Sequence, residues 1–122
     1  MNIRGTLRKD KKTKDLAKRL NPGEIAIINH KDIDEVAAIS LVETKILAII
    51  NLNKSISGRY PNNGPTILLE SNIDIFECSD EKIFEIVDEG DFLEINEDYE
   101  IIYKDKVVGT CEKIDKDKVE EL

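Results

Sequence analysis

The stretch NLNKSISGRYPNNGP, Asn51 to Pro65, concentrates the residue types that could bind a ligand. Ser55 and Ser57 offer hydroxyls, and Gly58 lets backbone come close to a bound group. Arg59 supplies a fixed fork of donors suited to phosphate or carboxylate. It is the one arginine after Arg19. Tyr60 could wall such a site, and Asn62, Asn63 and Gly64 complete the polar run. The stretch follows an apolar run and precedes a helix start at Pro65, which would aim free N–H groups at an anion. Loops after parallel strands are where α/β proteins gather ligands. A purely structural use is the alternative: Asn, Gly and Pro make turns, and an arginine in an acidic chain finds a carboxylate. Neither GxxxxGK[ST] nor GxGxxG is present.

Other candidates are weaker. His30 is the only histidine and reads as a polar loop residue, because a base needs a positioned partner. The pairs Asp32/Asp34, Asp88/Asp91 and Glu97/Asp98 fall mostly in turns, where Asp is expected without a cation. Cys78 and Cys111 make neither a zinc set nor a disulfide framework. They read as two small buried thiols rather than a redox pair. No serine-nucleophile motif occurs. The expectation is therefore no catalytic residue, no metal and no cofactor.

Charge is unevenly spread. The net charge is −8, but residues 1–20 hold eight Lys/Arg against two Asp. The remainder holds ten against 24 Asp/Glu. Arg8, Lys9, Lys11, Lys12 and Lys14 are the candidates for a partner-facing surface. Apolar residues at helical spacing favour a basic segment lying on its own acidic domain over a nucleic-acid or membrane arm. The acidic body disfavours nucleic acid, whose binding depends on neutralising phosphates. No apolar run is long enough to span a membrane, and the start lacks a secretory h-region.

These residues need elements to position them. Alternation at Asn2 to Leu7 predicts a strand, and Thr13 to Leu20 a short helix ended by Asn21-Pro22-Gly23. EIAIIN (24–29) and KILAIIN (45–51) predict buried strands. A helix opened by Asp32 or Asp34 joins them into a βαβ unit, hence a parallel pair. A helix from Pro65, a strand IDIFE (73–77) and a helix capped by Ser79 and running to Val87 follow. Residues 92–96, 100–104 and 107–112 predict a meander with turns at Glu97–Asp98 and Asp105–Lys106. The expected fold class is α/β, a βαβ core with a C-terminal antiparallel meander. Residues 1–20 form the basic segment, 21–112 the domain, and 113–122 a linker-like terminal helix.

The pieces PGEIAII, KILAIIN, SNIDIF and DEGDFLEI, in that order, resemble the swivelling β/β/α domain of phosphoenolpyruvate-utilising enzymes. That domain's reactive histidine belongs to a TSH motif in the loop after the second strand. SISGRYPNNGP has no histidine, so the resemblance implies the fold and not a phosphorelay. TKDLAKRL, PGEIAIINH, SISGRYPN and GP, over about 60 residues, are similar to the N-terminal region of the SteA-like family. These proteins are labelled putative cytokinetic ring or thiamin-pyrophosphokinase-like proteins. The resemblance implies a non-catalytic N-terminal binding or regulatory domain with an anion or partner site at residues 55–64. Its partners would be a downstream catalytic-like domain of the same protein, an anionic small molecule, or a cell-division protein. The resemblance also implies a cytoplasmic chain, an excerpt of a longer protein reaching the membrane only through C-terminal segments. Two alternatives stay open: part of an ATP-dependent thiamin pyrophosphokinase, and a cell-division scaffold.

Overall fold

The computed structural model describes residues 2–57 and 63–120. Along the chain run β1 (Ile3–Lys9), α1 (Thr13–Ala17), β2 (Ile25–Ile28), α2 (Glu35–Val42), β3 (Ala48–Asn51), α3 (Gly64–Glu70) and β4 (Asp74–Glu77). Then come α4 (Ile83–Ile86), β5 (Phe92–Ile95), β6 (Glu100–Tyr103), β7 (Lys106–Thr110), β8 (Glu112–Ile114) and α5 (Lys116–Glu120).

Every residue of β2 and β3 is buried, as continuous apolar runs require in a sheet covered on both faces. They pair in parallel, Ile25↔Ala48 to Ile28↔Asn51, as the βαβ pattern predicts. The parallel set is wider than that pair, since β1 joins β2 and β4 joins β3 in the same sense. Asp34, not Asp32, opens α2: its Oδ1 accepts from Ala37 N at 2.7 Å. The start of α4 is held by Asp80, whose Oδ1 accepts from Lys82 N at 3.0 Å, rather than by Ser79. That helix is only four residues long.

The meander forms as expected, antiparallel from β5 through β7. Its second turn lies one residue earlier than predicted. Lys104 and Asp105 both adopt positive φ, 50° and 64°, the two-residue hairpin geometry whose twist matches the strands.

The sheet order is β7-β6-β5-β1-β2-β3-β4-β8. Two expectations about the ends are corrected by it. Residues 1–20 are no separate segment, because β1 lies mid-sheet between β2 and β5. Residues 113–122 do not begin a linker, because Lys113 and Ile114 belong to β8, paired antiparallel with β4. Ile114 is buried and Val119 packs on the same core, so apolar anchors dock this end.

β7 and β8 occupy opposite ends of that order yet are separated in sequence by Cys111 alone. Laid flat, eight strands would stand roughly 34 Å apart end to end, far beyond the reach of one residue. The sheet therefore rolls round until its ends meet. Inside the roll lies one core of Leu7, Ile27, Ile50, Phe76, Leu93 and Ile101, with Ile83 and Val87. Outside it, the helices cover a second core of Ile28, Leu41, Ile49, Leu68 and Ile75.

Candidate functional site

Because β1 to β4 run parallel, their C-terminal ends share one edge of the sheet. Residues 10–12, 29–34, 52–57 and 78–82 leave from that edge, and Asn51 organises it. This side chain is fully buried, although it ends a strand otherwise made of apolar residues. Its Oδ1 accepts from His30 N at 3.0 Å and from Asn53 N at 3.1 Å. Its Nδ2 donates to His30 O at 2.9 Å and to Ser55 Oγ at 3.0 Å. One amide thus ties the loop after β2 to the loop after β3, with all its bonding capacity for those groups used.

The two loops are joined further by backbone. Asp32 N donates to Lys54 O at 2.8 Å, and Ile33 N to Ser55 O at 2.9 Å. Asp32 stands at φ 54°; its carboxylate accepts from Ser57 N at 2.7 Å and Ser57 Oγ at 2.9 Å. Ser55 is fully buried, and its N–H donates to Glu77 Oε2 at 2.8 Å. Lys54 Nζ lies 3.9 Å from the other oxygen of Glu77. The seryl hydroxyls expected to face a ligand are engaged with protein groups.

The other end of the loop is fixed by packing. Gly64 is buried at the first position of α3, with Pro65 beside it. A Cβ at Gly64 would stand 1.9 Å from Ile33 O and 2.9 Å from Asp34 O. The start of α3 is therefore pressed against the backbone that opens α2, in place of the anion-facing end that Pro65 suggested. Asn63 is exposed and makes no side-chain cap. Gly58, Arg59, Tyr60 and Asn62 lie outside the described residues.

His30 is more constrained than a loose loop residue: Thr13 Oγ1 sits 2.8 Å from its Nδ1, and Thr13 is buried. The basic segment is largely spent on the body it covers. Arg8 Nε lies 2.9 Å from Glu24 Oε2. Arg19 pairs with Glu89 at 2.7 Å and Asp10 at 3.6 Å. Lys9 Nζ donates to Phe84 O at 2.6 Å and lies over the Phe84 ring, with Lys11 also over that ring. Lys11, Lys12 and Lys14 remain exposed.

A cleft of about 370 Å³ opens at this edge, between the loop after β3, the end of β4 and the β7–β8 corner. Asn53, Lys54, Glu77, Ser79, Thr110 and Glu112 give it polar walls, and Cys78 and Cys111 both line it. Burial pushes the Cys78 thiol up and the Cys111 thiol up to about 12, so both are protonated at neutral pH. Among the described residues no group of three or more His, Cys, Asp or Glu is arranged to hold a metal ion. No helix among them is long and apolar enough to cross a membrane.

Sequence reasoning pointed to this edge but missed Asn51, Asp32 and Glu77, which hold it together. The available signal was Asn51 itself, a polar side chain closing an apolar strand and followed by a second Asn. Comparison with protein families finds no match, and comparison with curated proteins finds none either. Among solved structures, the chain is similar to 3-isopropylmalate dehydratase (LeuD) from Methanocaldococcus jannaschii. The identity is 18%, over 98% of this chain and 87% of that one, with a TM-score of 0.56. What the two chains share is the mixed α/β fold.

Proposed function

We propose that the chain is a non-catalytic binding domain of the SteA-like kind, whose loop 55–64 receives a negatively charged group. The observation that carries this reading is the anchoring of both ends of the loop to the C-terminal edge of the parallel strands. Ser55 and Ser57 are fixed on Glu77, Asn51 and Asp32, and Gly64 is fixed against Ile33. Arg59 follows Ser57 by two residues in the sequence and is the arginine of this stretch. The group recognised belongs to a small anionic molecule or to a neighbouring catalytic domain of the same protein. Exposed Lys11, Lys12 and Lys14 are the surface a cell-division partner would use. The likeness to a dehydratase lends no reaction, since 18% identity supports a shared fold and nothing narrower. Pyrophosphoryl transfer to thiamin would have to come from a further domain.

Thermal shift with phosphate, ATP, ADP, thiamin diphosphate and phosphoenolpyruvate tests the proposal, with Arg59→Ala alongside. A ligand at about 100 times its Kd adds roughly 2.7 kcal/mol of stability. A shift present in the native chain and absent in an Arg59→Ala variant of unchanged urea midpoint is expected. No shift with any of these compounds would refute anion binding here.

A further inference from the structure

Cys78 and Cys111 are far apart in the sequence, but the sheet brings them together. β4 and β8 pair antiparallel as Ile75↔Ile114, Phe76↔Lys113 and Glu77↔Glu112. The ladder ends at Glu77↔Glu112, and Cys78 and Cys111 are the residues that flank this last pair on the two chains. The kind of pair follows from the amides. Cys78 N donates away from β8, to Asn51 O at 2.9 Å, and Cys111 N donates away from β4, to Tyr99 O at 2.8 Å. Were the ladder continued by one residue, outward-pointing amides would make this a non-hydrogen-bonded pair, the kind with Cα atoms about 4.5 Å apart. Disulfides bridge Cα separations of about 4.4–6.8 Å.

The faces agree as well. Cys78 belongs to the core inside the roll, and Cys111 packs against the same core. A Cβ at Gly109 would sit 3.7 Å from Cys78 Sγ, so the strand leading to Cys111 passes directly over that sulfur. Both side chains line the cleft. Both thiols are free, and Cys111 is the less buried of the two.

We propose that Cys78 and Cys111 are a reversible cross-strand dithiol–disulfide pair that, when oxidised, staples β8 to β4 at the wall of the cleft. The oxidant is a small-molecule disulfide such as oxidised glutathione. The Cys111 thiol gives up its proton and attacks one sulfur of the oxidant. A protein–glutathione disulfide forms, and one glutathione leaves as thiolate and takes a proton. The Cys78 thiol then gives up its proton and attacks Cys111 Sγ, expelling the second glutathione, which is protonated in turn. Two protein thiols are oxidised to one disulfide, and one oxidised glutathione is reduced to two thiols. Both thiols carry raised pKa values, so little thiolate is present at neutral pH and the exchange is slow.

The test incubates the chain with excess oxidised glutathione, then alkylates it under denaturing conditions and analyses intact mass and non-reducing peptide maps. The expected product has no alkylatable thiol, carries no glutathione, and yields one peptide pair joined through Cys78 and Cys111. Dithiothreitol should restore both thiols. Cys78→Ser should stop at a stable glutathione adduct on Cys111. Two thiols still alkylatable, a stable glutathione adduct on the unaltered chain, or disulfides only between chains would each overturn the pairing.

Discussion

Replacing Asn51 with leucine removes four hydrogen bonds while keeping the buried space filled. Asn51 is fully buried, so the variant leaves His30 N, Asn53 N, His30 O and Ser55 Oγ without the partner they have now. A donor or acceptor stranded by loss of its partner costs about 1–3 kcal/mol when buried. The two amides sit in half-buried residues that water can partly reach, so each is assigned about 1 kcal/mol. The His30 carbonyl adds about 1 kcal/mol more, and the total is about 3 kcal/mol. At about 3–4 °C per kcal/mol for a chain of this size, Tm should fall by roughly 10 °C. Asn51→Asp keeps the acceptor for both amides but buries a carboxylate and sets its second oxygen against the His30 carbonyl, so it should cost at least as much as leucine. Urea unfolding followed by far-UV circular dichroism measures both, with the slope m expected to be unchanged. A leucine variant that loses less than about 1 kcal/mol would refute the assignment of Asn51 as the tie between the two loops.

Two glycines should respond very differently to alanine. At Gly64 the new Cβ meets backbone of Ile33 and Asp34, which cannot swing aside, so a loss of about 3 kcal/mol is expected. At Gly109 it meets Ile83 Cδ1 at 2.4 Å, the end of a side chain that can turn, and the cost should be nearer about 1 kcal/mol; equal urea midpoints would contradict this contrast. Acid stability carries a further signature. The hydrogen bond from Arg19 holds the Glu89 carboxyl below its ordinary range. A depressed folded value means the stabilisation is complete above the unfolded carboxylate pKa of about 4.3 and is lost as pH falls through the folded value. Arg19 is 41% exposed, so the pair contributes less than about 1 kcal/mol. Arg19→Gln should lose that increment at neutral pH and show a shallower decline between about pH 5 and pH 3. Urea midpoints across that range check it, and an unchanged acid slope would count against it.

The two strands that form the heart of the sheet were legible because burial on both faces leaves an unbroken apolar run, as in IAII and AIIN. β8 was not legible. Its three residues carry one apolar side chain, Ile114, and only the neighbouring edge of β4 makes EKI a strand. β1 was visible as an extended segment, but nothing local says that residues 92–95 will flank it. At the candidate site the chemistry of Ser55 and Ser57 was plain while their partners were not. A hydroxyl's use is decided by whichever carboxylate or amide folding brings near, and Asp32 lies 25 residues from Ser57. The two thiols are the same case, since their relation depends on a register that exists only once β8 is recognised.

The position of β1 also has a temporal consequence. This first strand is hydrogen-bonded on one side to β2 and on the other to β5, with Ile3 opposite Ile95. During synthesis it can complete its second ladder only after residues 92–95 have emerged. Contacts of such long sequence separation slow folding, because the loop must be closed before any contact rewards it. The β1–β4 parallel unit is therefore the stage that forms early with one side of β1 open. Arrival of residues 92–95 then seals that side.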